Sequence, residues 1–211
     1  DNSSGGSDLY ISQAQEFEMD PIEISGEDLE VPMIQLTCSA DIKVSDQNYN
    51  LDGYALNKVL EAGWTTDAPL DAQLSSCQVS DEFHLTLDQV SVKIKLVNPY
   101  KETLPLDQCL IGWFQVDGTS GAITDSQGFA VGSASYEDIK DTYMAPYTTT
   151  DSELVFKVFH VSSVSLDNGE KILDDRDWEM VYDFENGTLA SMTAQSPALL
   201  YNGMEDNIDP Q

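Results

Sequence analysis

The chain has 211 residues and a mass of 23.2 kDa, and its 38 acids against 9 bases give a formal net charge of −29. A chain of this mass buries about 70% of its unfolded surface, and 41% hydrophobic residues with nine Tyr, seven Phe and three Trp mark it as globular rather than disordered. The charge disfavours nucleic acid and anionic lipid headgroups and favours divalent cations and basic partners, and no run of 18 apolar residues could cross a membrane as a helix.

Residues 1–8 (Asp-Asn-Ser-Ser-Gly-Gly-Ser-Asp) read as a flexible polar linker, of the kind that follows a removed targeting segment or a lipidated cysteine. Residues 9–36 place short apolar patches among acids, and Pro21 and Pro32 restrict them to extended chain or edge strand. Ala40–Ser45 alternates with period two, a strand, and Asp46–Gly53 is a polar turn. Tyr54–Gly63 predicts a short amphipathic helix, with Leu56, Val59 and Leu60 on one face and Gly63 as the C-terminal cap. Trp64 follows it.

Three strands are expected over 82–87, 90–97 and 109–116. The clean alternation of Val90–Val97 leaves one face wet, so the sheet is antiparallel. Residues 117–132 read as a Gly-rich connector. Ser135–Tyr143 predicts a second short helix, with Ser135 and Asp138 at capping-box spacing, stopped before Pro146. Strands return over 154–161, 178–184 and 188–193, the last two joined by Asn186-Gly187, a strong hairpin signal. Residues 196–211 form an acidic tail. The expected fold class is α+β: antiparallel sheets with two short helices, as two helix-plus-sheet modules, 37–118 and 119–195, side by side.

The charge is concentrated at the ends: residues 1–50 hold 11 acids and 1 base, and residues 151–211 hold 13 acids and 3 bases. Phosphate chemistry usually needs more cationic donors than the one Arg (Arg176) and two His (His84, His160) present here. Cys38, Cys77 and Cys109 are 39 and 32 residues apart, which fits no metal motif. Either Cys77 and Cys109 pair, or all three are small buried apolar residues. Asp46, Asn48, Asn50 and Asp52 begin like a calcium loop, but Leu51 and Asn57 stand where that loop needs Gly and Glu, so a polar turn is the expectation. The acids Asp174, Asp175 and Asp177 around Arg176 read as a solvated loop. Glu102, Asp107 and Asp117 flank the aromatic pair Trp113-Phe114, a weak suggestion of paired carboxylates.

Trp64, Trp113 and Trp178 could line a sugar or peptide platform. Trp113 and Trp178 sit in strand-like apolar runs that point to the core. Trp64, between a helix cap and polar Thr65-Thr66-Asp67, is the best placed for partial exposure. Trp64 and Trp113 are the candidate ligand contacts. His84 reads as an exposed strand residue and His160 as a structural one.

Gly128–Pro146, with Gly132, Ser133, Asp138, Ile139, Tyr143 and Pro146 at matching positions, resembles a segment of extracytoplasmic lipoproteins from Clostridia-type Gram-positive bacteria. Val59–Trp64, Val97-Asn98-Pro99 and Leu106–Cys109 resemble the same proteins, and Ala145 departs from them where they usually carry Gly. The C-terminal half also resembles the helix–sheet modules of the β-lactamase-inhibitor-like and small outer-membrane lipoprotein superfamily. These resemblances imply a cell-surface, lipid-anchored protein; with the acidic charge and the lack of catalytic and metal motifs, the expectation is a monomeric, non-enzymatic binding module without cofactor or metal, for a basic protein or peptide. The alternative is an extracellular hydrolase of glycan or peptide that uses carboxylates alone.

Overall fold

The structure, a computed structural model, describes residues 35–158, 162–165, 171–174 and 178–197. The expectations for the 1–8 linker, for residues 9–34, for His160, for Asp175–Asp177 and for the tail beyond residue 197 lie outside the described residues.

Fifteen strands are described. They are β1 (Ile42–Val44), β2 (Gln47–Tyr49), β3 (Thr65–Thr66), β4 (Gln73–Leu74), β5 (Val79–Leu87), β6 (Val90–Val97), β7 (Leu104–Pro105), β8 (Leu110–Asp117), β9 (Ile123–Asp125), β10 (Thr148–Thr149), β11 (Glu153–Val158), β12 (Ser162–Ser165), β13 (Lys171–Asp174), β14 (Trp178–Glu185) and β15 (Thr188–Gln195). Two α-helices, α1 (Leu56–Glu61) and α2 (Tyr136–Thr142), are six and seven residues long. Eight strands form one antiparallel sheet in the order β10-β11-β14-β15-β8-β6-β5-β3, and a three-stranded sheet has the order β2-β1-β9.

The fold is therefore nearly all-β, which corrects the α+β expectation. Each helix has about two turns at most and buries one or two side chains, Leu56 and Val59 in α1 and Ile139 in α2. Helices this short draw their stability from the packing around them, and here they serve as connectors between strands. The 37–118 and 119–195 halves join edge to edge in the large sheet. β8 of the first half pairs with β15 of the second over Trp113↔Gln195 to Asp117↔Ser191, in the middle of the large sheet. The segment read as a connector contains β9, which pairs with β1. Ile123 and Asp125, separated by one residue, are both buried, a period-two pattern too short to stand out among glycines.

Local chemistry explains the elements that were foreseen. The Ser135 hydroxyl accepts from the Asp138 amide at 3.1 Å and caps α2. Gly63, with φ +108, follows α1 in the left-handed region. Asn186 and Gly187 have φ of 51° and 78°, as a two-residue type I′ hairpin turn requires. Ser45 and Asp46, at φ 50° and 65°, make the same tight turn between β1 and β2, so the start of the supposed calcium loop is a hairpin turn.

One face of the large sheet is apolar. Val92, Ile94 and Leu96 of β6, Phe114 and Val116 of β8, Met192 and Ala194 of β15, Met180 and Tyr182 of β14, and Leu154 and Phe156 of β11 join one core with Ile42, Val44, Ile123, Leu56, Val59, Ile139 and Tyr143. The small sheet and both helices thus share a single core with the large sheet. At its centre lies Asp125, with no exposed surface. Its Oδ1 accepts from the amides of Gln127 and Phe129, both at 2.9 Å. Its Oδ2 accepts from the Tyr182 hydroxyl at 2.8 Å and from the Tyr143 hydroxyl. Four donors replace the water this carboxylate gives up.

Candidate functional site

The other face of the large sheet is polar, and strand register orders it in rows. Glu82↔Lys95, Lys95↔Trp113, Trp113↔Gln195, Gln195↔Glu179 and Glu179↔Lys157 are cross-strand neighbours. They form one continuous row over six strands, about 24 Å long at the usual strand spacing. A parallel row runs His84, Lys93, Gln115, Thr193, Val181, Val155.

Trp113 shares the polar face with Gln115 and Asp117 by strand alternation, and a bulge lies beside it. Between Lys95 and Leu96 the register with β8 shifts, so that Lys95 faces Trp113 and Leu96 faces Ile111, leaving Gly112 as the extra residue. A Cβ on Gly112 would stand 2.7 Å from Val97 Cγ1, so only glycine lets β8 and β6 close there. Trp113 is half-buried, and the Lys95 ammonium sits over its ring, 4.7 Å from the centroid. At the far end of the row Lys157 covers Tyr147 in the same way at 4.6 Å, and Tyr147 is 68% exposed.

The charges on this face are largely paired. Lys93 Nζ donates to Asp117 Oδ2 at 2.7 Å, and Lys157 Nζ lies 3.3 Å from Glu179 Oε1. Burial pushes the Asp117 carboxyl up, but the bonds from Lys93 and Thr119 outweigh it and hold the group down to about 2. The Lys93 ammonium is raised in turn by its bond to Asp117. Gln115 Nε2 donates to Thr193 Oγ1 at 2.9 Å and Gln195 Nε2 to Glu179 Oε2 at 3.3 Å. His84 is part of this face, its Nδ1 3.0 Å from Asp67 Oδ2 and its amide donating to Asp67 Oδ1 at 2.7 Å. Three of the nine bases, Lys93, Lys95 and Lys157, meet on one face of a strongly acidic protein.

The two candidate ligand contacts separate. Trp113 is on the polar face. Trp64 is 2% exposed, its ring set edge-on to Tyr49 at 5.4 Å, so the expectation of partial exposure is corrected: the turn after the Gly63 cap folds the indole inward. Trp178 is fully buried, as its alternating strand suggested. The three acids near Trp113 also disperse, since Asp117 is bound to Lys93 and Glu102 is exposed in the loop before β7. The three cysteines are free thiols, and Cys77 and Cys109 are not bridged. Cys38 and Cys109 are buried, and burial pushes both thiols up to about 12. Cross-strand placement of Lys95, Gln195 and Glu179 around Trp113 was missed by sequence reasoning, because it depends on register between strands up to about 100 residues apart.

A comparison with protein-family models, curated proteins and solved structures finds nothing that matches this chain.

Proposed function

We propose that the protein is a non-enzymatic binding module of the bacterial cell surface, lipid-anchored and monomeric, and that the polar face of its eight-stranded sheet around Trp113 is its contact surface. The observation that carries this reading is the row Glu82–Lys95–Trp113–Gln195–Glu179–Lys157, a broad ordered surface with a half-buried indole near its middle. Large aromatic side chains framed by polar groups are what binding surfaces use as anchors. The surface location rests on the lipoprotein-like segment 128–146. A monomer is supported by the sheet edges: β3 and β10 are two residues each, and short edge strands resist pairing with a second copy. The net charge of −29 steers basic protein or peptide partners to the molecule.

Titration of the isotope-labelled protein with a lysine-rich peptide, an acidic peptide and a neutral oligosaccharide tests this reading. Saturable binding of the basic peptide, with amide shifts at residues 93, 95, 113, 115 and 195, is expected. Trp113→Phe should weaken it, by about ten-fold for a residue at the centre of the contact, while Lys95→Ala, which removes a like charge beside the basic peptide, should not. Shifts that map elsewhere, or turnover of a probe that is lost on changing a single Asp or Glu, would overturn it.

A further inference from the structure

We propose that Glu153 and Asp183 share one proton across the β11–β14 seam, and that its loss as pH rises loosens the end of the sheet that carries β10 and β11. The two carboxyls stand directly opposite each other in the antiparallel register, a placement in which like charges destabilise a sheet. Cross-strand partners bring their Cβ atoms about 4.5–5.5 Å apart, so a proton taken from solvent by Glu153 turns a repulsive pair into a donor and an acceptor.

The surrounding groups reinforce the effect. On β14, Glu179 lies four residues from Asp183 on the same face and adds a third carboxylate; its two oxygens are engaged by Lys157 of β11 and Gln195 of β15. From β15 the Ser191 hydroxyl donates to Asp183 Oδ2 at 3.4 Å, and Asp117 of β8, opposite Ser191, is bound by Lys93. Among the described residues the nearby cations, Lys93 and Lys157, are thus placed on other acids. Burial, then Asp183, then Glu179 hold the Glu153 carboxyl above its ordinary range.

The seam is also the place where loosening costs least. β10 pairs with β11 at only two positions. The register of β14 with β15 breaks between Asp183 and Phe184. Single bonds hold the end together: the Phe184 amide to the Ser152 carbonyl at 2.8 Å and the Thr150 amide to the Glu153 carbonyl at 2.9 Å. Leu154 and Phe156, on the opposite face of β11, stay in the core, so the change is local.

The sign follows from linkage. A carboxyl raised in the folded state contributes stability below its ordinary range, and that contribution is lost as pH rises through its folded value. Glu153→Gln mimics the protonated pair at every pH. Thermal unfolding of the full chain should therefore show Glu153→Gln melting roughly 1–3 °C above wild type at pH 7.5, with the gap closing by pH 4.5. Exchange protection of the Phe184 amide should be lower in wild type than in Glu153→Gln at pH 7.5 and equal at acidic pH. In Asp183→Asn the Glu153 carboxyl, followed by carbon NMR, should titrate at lower pH than in wild type. A gap independent of pH, a wild type more stable than Glu153→Gln at pH 7.5, or an unchanged titration in Asp183→Asn would overturn the proposal.

Discussion

Replacing Asp125 removes the acceptor on which three segments of the second half of the chain converge. Its two oxygens satisfy four donors from three elements: the amides of Gln127 and Phe129 after β9, the Tyr143 hydroxyl at the end of α2, and the Tyr182 hydroxyl of β14. Asp125, Tyr143 and Tyr182 have no exposed surface, so water cannot take over without opening the core. A buried donor left without a partner costs about 1–3 kcal/mol. Asp125→Ala orphans the two buried tyrosine hydroxyls and takes the acceptor from two part-buried amides, so the loss is about 2–6 kcal/mol, centred near 4. Asp125→Asn keeps an oxygen for the two amides and disturbs only the tyrosine hydroxyls. Its cost should be about 1–3 kcal/mol, eased because the Tyr182 hydroxyl also lies 3.7 Å from Cys38 Sγ. Urea unfolding of wild type and both variants measures the difference directly. Near the transition temperature Asp125→Ala should lower the melting point by roughly 8–16 °C for a domain of this size. If it costs under about 1 kcal/mol, or no more than Asp125→Asn, the four bonds do not hold the core as described.

The remaining predictions concern packing, thiols and charge. Gly112→Ala should destabilise by about 1–3 kcal/mol because its Cβ meets Val97 Cγ1 at 2.7 Å, and the double variant with Val97→Ala should cost less than the sum of the two single changes in urea titrations. Gly187→Ala, which meets no atom within 4 Å but has φ +78, should cost about 1–2 kcal/mol from backbone conformation alone, read by calorimetry. With a thiol reagent at pH 8, half-buried Cys77 should be modified first, while Cys38 and Cys109, buried and pushed up to about 12, should react only on unfolding; three equally fast thiols would refute their placement. The Lys93–Asp117 pair stabilises above the ordinary carboxylate range and loses that contribution as pH falls through about 2, so the gap in melting temperature between wild type and Lys93→Met should narrow from pH 5 to pH 2.

Local signals carried well from sequence to structure. The Ser135 cap, the Gly63 terminus, the Asn186-Gly187 turn and the alternation of Val90–Val97 are each decided within a few residues, and each stands where it was expected. The fold class did not carry, because helical periodicity over two turns does not reveal that so short a helix is a link between strands rather than a layer. Two pairings were not legible for a related reason: glycines near residue 120 hid β9, and nothing local shows that β8 pairs with β15 about 80 residues away. For two tryptophans the sequence surroundings pointed the wrong way: the apolar run around Trp113 to the core and the polar run after Trp64 to exposure, and the structure reverses both. Which way each indole points is set by packing and strand register, not by its neighbours in sequence. Asp125 was not singled out among 38 acids, since its role comes from two tyrosines, 18 and 57 residues downstream.

The claim on which the functional reading stands is that both halves of the chain form one sheet and one core, with Trp113 at the seam. Equilibrium unfolding in urea, followed at once by tryptophan fluorescence and by amide exchange of β6, β8, β14 and β15, tests it most directly. Trp64 reports on the first half and Trp178 on the second, both from buried positions. The account predicts a single transition with the same midpoint for both probes, and coincident loss of protection in β8 and β15. Two separated transitions, with β5, β6 and β8 opening while β14 and β15 stay protected, would contradict it.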